Sequence, residues 1–149
     1  MNFPILSSLI LLPLIGVLFI LLSRSSDKSN YQSSKYVALF VSFTNFFVSI
    51  YLWYIFDPNT SDFQFVENRL WLEGFINYKV GIDGISILFI VLTTLITPLC
   101  IISVNQSINT KLKEFLIAIL VMESLMIGVF CSLDLVIFYL FFEGGLIPM

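Results

Sequence analysis

The sequence contains no histidine. That removes the commonest metal ligand and the usual catalytic base near neutral pH. There are 2 cysteines, Cys100 and Cys131. They lie far apart in apolar surroundings and form no CxxC pair, so they read as small buried apolar residues and not as metal ligands. Charge is also scarce, at 11% of 149 residues with a net charge of −3. No basic patch suggests a nucleic acid. No nucleotide, flavin, haem or iron–sulfur motif is present, so the chain by itself has no means of redox chemistry. No basic region precedes the first apolar run, and no Arg-rich amphipathic leader opens the chain, so neither a secretory signal nor a transit peptide is expected.

What is abundant is apolar and aromatic. Hydrophobic residues make up 58% of the chain, with 16 Phe, 6 Tyr and 2 Trp, and the mean hydropathy is +1.00. A soluble domain averages about 45–50% apolar and about 25% charged. The excess is too large for one water-soluble core of this length and implies an integral membrane protein.

The apolar residues fall into runs. A bilayer core of about 30 Å needs about 20 apolar residues in a helix. Residues 3–22 meet that, with Pro13 as a possible kink point. The stretch 23–35 is a Ser-rich polar loop. Residues 36–56 make a second span with aromatic residues at both ends, as at a membrane interface. Residues 57–84 are too polar to cross lipid. Asp57, Pro58 and Asn59 signal a turn, and the partial alternation in "FQFVENRLWL" suggests a short hairpin lying on the membrane surface. Residues 85–104 and 115–132 are the third and fourth spans. A tight connection at Leu133 and Asp134 leads to a fifth, residues 135–149. At 1.5 Å per residue it reaches about 22 Å, so it is expected to be incomplete. The expected fold is an all-α integral membrane unit, with four complete transmembrane helices and part of a fifth.

Lys and Arg mark the inner side of a membrane protein. Arg24, Lys28 and Lys35 lie in the first loop, Lys111 and Lys113 in the third. The long loop carries Asp57, Asp62, Glu67, Glu73 and Asp83 against Arg69 and Lys79. The first and third loops are therefore expected on the cytoplasmic or matrix side, and the N-terminus and long loop on the other.

Acids lie in or beside the last two spans: Glu123, Asp134 and Glu143. An ionisable group at the bilayer centre costs about 2.5–3.5 kcal/mol on insertion scales, and such groups usually mark an ion or proton path. Glu123 and Glu143 fall near mid-span on antiparallel neighbours, at similar depth. The plain alternative for each is a protonated glutamate that hydrogen-bonds another helix. Asp134 sits at a turn, where solvation or helix N-capping accounts for it. Gly144 and Gly145 allow close approach of a helix or water. Pro148 is expected to deprive the Gly144 carbonyl of its helical partner, leaving it free beside Glu143. No span contains a cation.

The blocks "FDPNTSDFQFVENRLWL", "YKVGIDGISILFIVLTTLITPLCI" and "KEFLIAILVMESLMIGVFCSLDLVIFYLFFEGGLIPM" resemble the chain 4 family of the proton-pumping NADH–ubiquinone oxidoreductase, respiratory complex I. The likeness covers nearly the whole chain and is weakest in the first helix and first loop. It implies the N-terminal part of an antiporter-like helix bundle in the membrane arm. It implies that Glu143, in the FFE motif, belongs to a proton channel, and that Glu123, in "LVMESLM", sits toward a neighbouring pumping unit. In the family the Lys partners lie on later helices. A C-terminal continuation, in the same or a separate chain, is thus an expected partner, with the other membrane-arm subunits and the lipid bilayer. No cofactor is expected in this chain; NAD, FMN, iron–sulfur clusters and ubiquinone would be held by other subunits. The implied location is the mitochondrial inner membrane, with an organelle-encoded chain, or a bacterial plasma membrane. The alternatives are a subunit of a related cation/proton antiporter and a non-pumping scaffold of the membrane arm.

Overall fold

A computed structural model describes residues 4–22, 28–60, 62–72, 76–104 and 111–149, with backbone only at 28–31, 69–72 and 76–77. Arg24, Glu73 and residues 105–110, which belong to the expected loops, lie outside the described residues. The elements run α1 (Ile5–Leu22), α2 (Lys28–Ile55), β1 (Gln64–Leu72), β2 (Ile76–Ile82), α3 (Gly84–Ser103), α4 (Leu112–Cys131) and α5 (Leu135–Leu146). Among them α1, α2, α3 and α4 are long and apolar enough to cross a membrane, and α5 is a shorter apolar helix. The architecture is that of an all-α membrane bundle carrying one hairpin.

Some boundaries differ from the sequence expectation. α2 begins at Lys28, not at residue 36, so more than half of the expected first loop is helical. α4 begins at Leu112, three positions before residue 115. Both differences have one cause. An apolar run marks where lipid begins, whereas helical hydrogen bonds continue through Ser, Asn, Gln and Lys as long as water can solvate the side chains. Pro13 and Pro98 lie inside continuous helices.

β1 and β2 pair antiparallel, with a register break between Gln64 and Glu67. Phe65, within that break, has φ 53°, a left-handed conformation that non-glycine residues adopt rarely. The break accompanies a specific contact. Glu67 Oε1 accepts from the backbone N–H of Leu6 at 2.9 Å and of Ser7 at 3.4 Å, and Oε2 accepts from Ser7 Oγ. First-turn amides of a helix have no intrahelical partner, so a carboxylate from the hairpin caps α1. The hairpin does not simply lie on a surface. Val80 and Ile82 are fully buried and join Leu6, Leu9, Leu52, Ile87, Ile90 and Ile127 in one core cluster. The Leu133 amide donates to the Lys79 carbonyl at 3.0 Å, and Val80 bridges Ser132. The hairpin thereby ties together the start of α1, the start of α3 and the end of α4.

At the opposite end Val17, Ile20, Ala38, Ile101, Leu116 and Leu120 form a second cluster. There Lys35 Nζ donates to the Val104 carbonyl at 2.7 Å, satisfying a carbonyl at the end of α3. Outward positions are apolar, among them Phe19, Phe40, Phe47, Leu88 and Leu99. Lipid is as apolar as these side chains, so helix association depends on close packing and interhelical hydrogen bonds. Gly16 packs against Val41: a Cβ there would lie 2.8 Å from Val41 Cγ1. Gly128 does the same against the Phe141 ring, also at 2.8 Å. Cys131 is buried as expected, but Cys100 is exposed on the outside of α3, because its position on the helix turns it from the bundle.

Candidate functional site

α4 places Glu123 in the bundle interior, 2% exposed. α2 presents Ser34, Ala38, Ser42, Asn45 and Ser49 toward the same interior, all buried. Their spacing of three or four keeps them on one face of a 3.6-residue helix. Asn45 Nδ2–H donates to Glu123 Oε1 at 2.9 Å. One turn along α2, the Ser49 and Thr94 hydroxyls meet at 2.7 Å. On the other side Ser124 Oγ donates to the Ile10 carbonyl at 2.6 Å. Glu123 is thus the ionisable member of a polar strip that joins α1, α2, α3 and α4 inside an apolar shell. Asn45 Oδ1 and Glu123 Oε2 are buried without a partner among the described residues. No ionic partner of Glu123 occurs among the described residues.

Glu143 lies differently. α5 faces α4 through Ile137, Phe141 and Gly144: Ile137 is buried, Phe141 meets Gly128, and a Cβ on Gly144 would lie 3.4 Å from Leu125. These contacts run antiparallel and put Glu143 beside Leu125 and Met126 in level, close to the level of Glu123. The Glu143 side chain is nevertheless on the exposed side of the described bundle. The structure therefore brings the two glutamates to similar depth without bringing their carboxyl groups together. The Gly144 carbonyl is not free. It accepts from the Ile147 N–H at 3.3 Å, because the chain tightens into a turn ahead of Pro148 and the Ile147 amide takes the place of the missing one. Gly145 has open space around it, with nothing within 4 Å of a Cβ.

Asp134 is the N-cap of α5, and its Oδ1 accepts from the Val136 amide at 2.8 Å. Asp83 does the same for α3, accepting from the Ser86 amide at 2.7 Å. The bonds from Ser86 hold the Asp83 carboxyl below its ordinary value of 3.8. Both aspartates are thereby accounted for by helix capping. Asn45 was absent from the sequence expectation. The readable signal for it is the row of small and polar residues at helical spacing in α2, interrupting a strongly aromatic span.

No protein-family model matches the chain. It is 49% identical to NADH-quinone oxidoreductase subunit M of Rhodobacter capsulatus over 146 residues, covering 97% of this chain and 28% of that protein. It is 46% identical to NADH-ubiquinone oxidoreductase chain 4 of Marchantia polymorpha over 145 residues, covering 97% of this chain and 29% of that protein. Against subunit M of Rickettsia prowazekii it is 45% identical over 150 residues, covering 100% of this chain and 30% of that protein. The chain spans less than a third of the length of these curated relatives. With such identity over essentially all of its own length, and with four apolar helices that can cross a membrane, the chain is similar throughout to part of NADH-ubiquinone oxidoreductase chain 4 and of NADH-quinone oxidoreductase subunit M.

Proposed function

We propose that this chain is part of a proton-translocating subunit in the membrane arm of an NADH:ubiquinone oxidoreductase. It would be a multi-pass protein of the mitochondrial inner membrane or of a bacterial plasma membrane. The observation that carries the reading is the 49% and 46% identity to subunit M and chain 4 across 97% of the chain. The interior supports it. A carboxyl group at bilayer depth is expensive, and a membrane bundle that retains one uses it. Glu123 and Glu143 are the groups assigned to carry protons. NADH oxidation and quinone reduction belong to other subunits, which hold NAD, FMN, iron–sulfur clusters and ubiquinone. This chain has no cation at the level of either glutamate among the described residues. The buried Lys residues that would switch them belong to the rest of the subunit, on the same or a separate chain.

The exposed side of α5 that carries Glu143 is then the side where those further helices pack. The chemistry required of Glu143 is modest. It takes a proton when its surroundings lack a nearby cation and releases it when a cation approaches, since an opposite charge favours the carboxylate. Redox energy would reach it through displacement of charge on neighbouring helices.

The test is Glu143→Gln in the assembled complex, with protons pumped per electron measured in closed vesicles. The expected result is a lower ratio with the complex intact. An unchanged ratio in normally assembled complex removes Glu143 from the proton path.

A further inference from the structure

Glu123 and Asn45 hold one hydrogen bond and leave one acceptor each. Asn45 Nδ2–H donates to Oε1 at 2.9 Å, while Oε2 and Asn45 Oδ1 are buried without a partner among the described residues. Both orphan atoms are acceptors if the carboxyl is ionised, and two acceptors cannot satisfy each other. A single proton on Oε2 changes that, because the acid then has one O–H to donate and Asn45 Oδ1 is an acceptor in need of it. We propose that Glu123 is held as the neutral acid, carrying its proton on Oε2, in a cyclic acid–amide pair for which Asn45 is the positioning residue. The bonds of the pair are Asn45 Nδ2–H to Oε1 and Oε2–H to Asn45 Oδ1. This deepens the reading of Glu123 as a proton-carrying group, and rests on that reading only for its use in transport.

The surroundings favour the pair. α1 carries no titratable side chain. On α2, Lys35 is engaged with the Val104 carbonyl at the far end, Tyr36, Tyr51 and Tyr54 are exposed, and the side chains of Lys28 and Tyr31 lie outside the described ones. α3 offers only Cys100, which is exposed. On α4, Lys113 and Glu114 are in the first turn, and Cys131 is at the opposite end. On α5, Tyr139 and Glu143 are exposed. Among the described side chains no cation faces Glu123, so nothing there compensates a carboxylate, whereas Asn45 offers the acid both a donor, on Nδ2, and an unpartnered acceptor, Oδ1. When the proton leaves, Oε2 becomes an acceptor and Asn45 Oδ1 loses its donor. Release therefore needs a donor or a cation brought to the pair, which makes the pair a gate as well as a store.

The experiment uses the assembled complex with Glu123→Gln, Glu123→Ala and Asn45→Leu. Gln puts an N–H where the pair holds its proton, so the expected yield of NADH-oxidising complex with Glu123→Gln equals wild type. Glu123→Ala and Asn45→Leu should lower the yield by roughly fivefold, the factor that goes with losing a buried hydrogen bond. The deciding readout is infrared absorption of the purified complex in H2O and D2O. A deuterium-sensitive carboxylic-acid C=O band should vanish in Glu123→Gln and move to higher frequency in Asn45→Leu. If no such band is lost in Glu123→Gln, Glu123 is a carboxylate and the proposal falls. A band lost in Glu123→Gln but unmoved in Asn45→Leu removes Asn45 from its role. Proton pumping is read separately, so normal pumping in Glu123→Gln would overturn the transport role while leaving the acid–amide pair standing.

Discussion

Asp83 sits where β2 gives way to α3, and its carboxylate accepts from the Ser86 amide at 2.7 Å. The bonds from Ser86 keep its carboxyl below the ordinary 3.8. A depressed carboxyl stabilises the fold above its unfolded value and loses that contribution as pH falls through its folded one. The added stability is therefore complete above about pH 4–5 and disappears in more acidic solution. Asp83→Ala should cost about 1 kcal/mol, the usual worth of an N-cap. Asp83→Asn should keep the cap and lose the pH dependence. Thermal inactivation midpoints of the solubilised complex, taken from pH 7 down to pH 3.5, compare the three proteins. A wild-type and an Asp83→Asn protein with the same acid slope would show that the cap does not titrate. Glu67 acts on the same scale but across elements. It accepts from the Leu6 and Ser7 amides, so Glu67→Ala leaves first-turn donors of α1 unpaired, at about 1–3 kcal/mol. Hydrogen exchange at the Leu6 and Ser7 amides should speed up by roughly tenfold, which corresponds to about 1.4 kcal/mol. Unchanged exchange would mean that solvent replaces the carboxylate without loss.

Helices meet closely where glycine permits it. A Cβ at Gly128 would sit 2.8 Å from the ring of Phe141, and neither α4 nor the ring can move far in a packed bundle. Gly128→Ala should therefore push α5 away from α4 and cost about 1–3 kcal/mol. Phe141→Leu, combined with it, should recover part of the loss, because the pair then interacts through the vacated space. The amount of assembled complex in the two single variants and the double variant measures the coupling. Strict additivity would mean that the contact does not set the approach of α5. The elements were largely legible in advance, for a physical reason. Spans are long, lipid demands continuous helix, and Lys and Arg stay outside, so α1, α3 and the paired strands fall near their expected places. Their ends were less legible. α2 extends back to Lys28 because hydropathy is silent about polar residues that remain helical in water. The Gly144 carbonyl is occupied because a turn amide, at Ile147, substituted for the one that Pro148 lacks. The Asn45–Glu123 pair joins residues 78 positions apart, and no local period connects them. A glutamate in an apolar helix announces that a partner exists; only the packing of α2 on α4 says which residue it is.

On the scale of the molecule, the hairpin and the Lys35 contact lie at opposite ends of the bundle. Glu67 holds the start of α1 and Leu133 is bonded to Lys79, so the start of α1, the end of α4 and the hairpin share one end. Lys35 and Val104 share the other. If the helices cross the bilayer, these ends are on opposite sides, and the cations of the first and third loops assign the Lys35 end to the cytoplasm or matrix. Asp62, exposed ahead of β1, and Lys111, exposed ahead of α4, report the two sides. In a Cys100→Ser background, Asp62→Cys and Lys111→Cys can each be treated with a membrane-impermeant thiol reagent in sealed vesicles of known orientation. Cys131 is buried and serves as the unreactive internal control. Asp62→Cys should react from outside right-side-out vesicles, and Lys111→Cys only after inversion or permeabilisation. Reaction of both from one side would mean that the bundle does not traverse the membrane with these ends apart. Reaction of each from the side opposite to that expected would keep the bundle and reverse its orientation. Glu123 and Glu143 would stay at the same depth, each reached from the opposite face of the membrane.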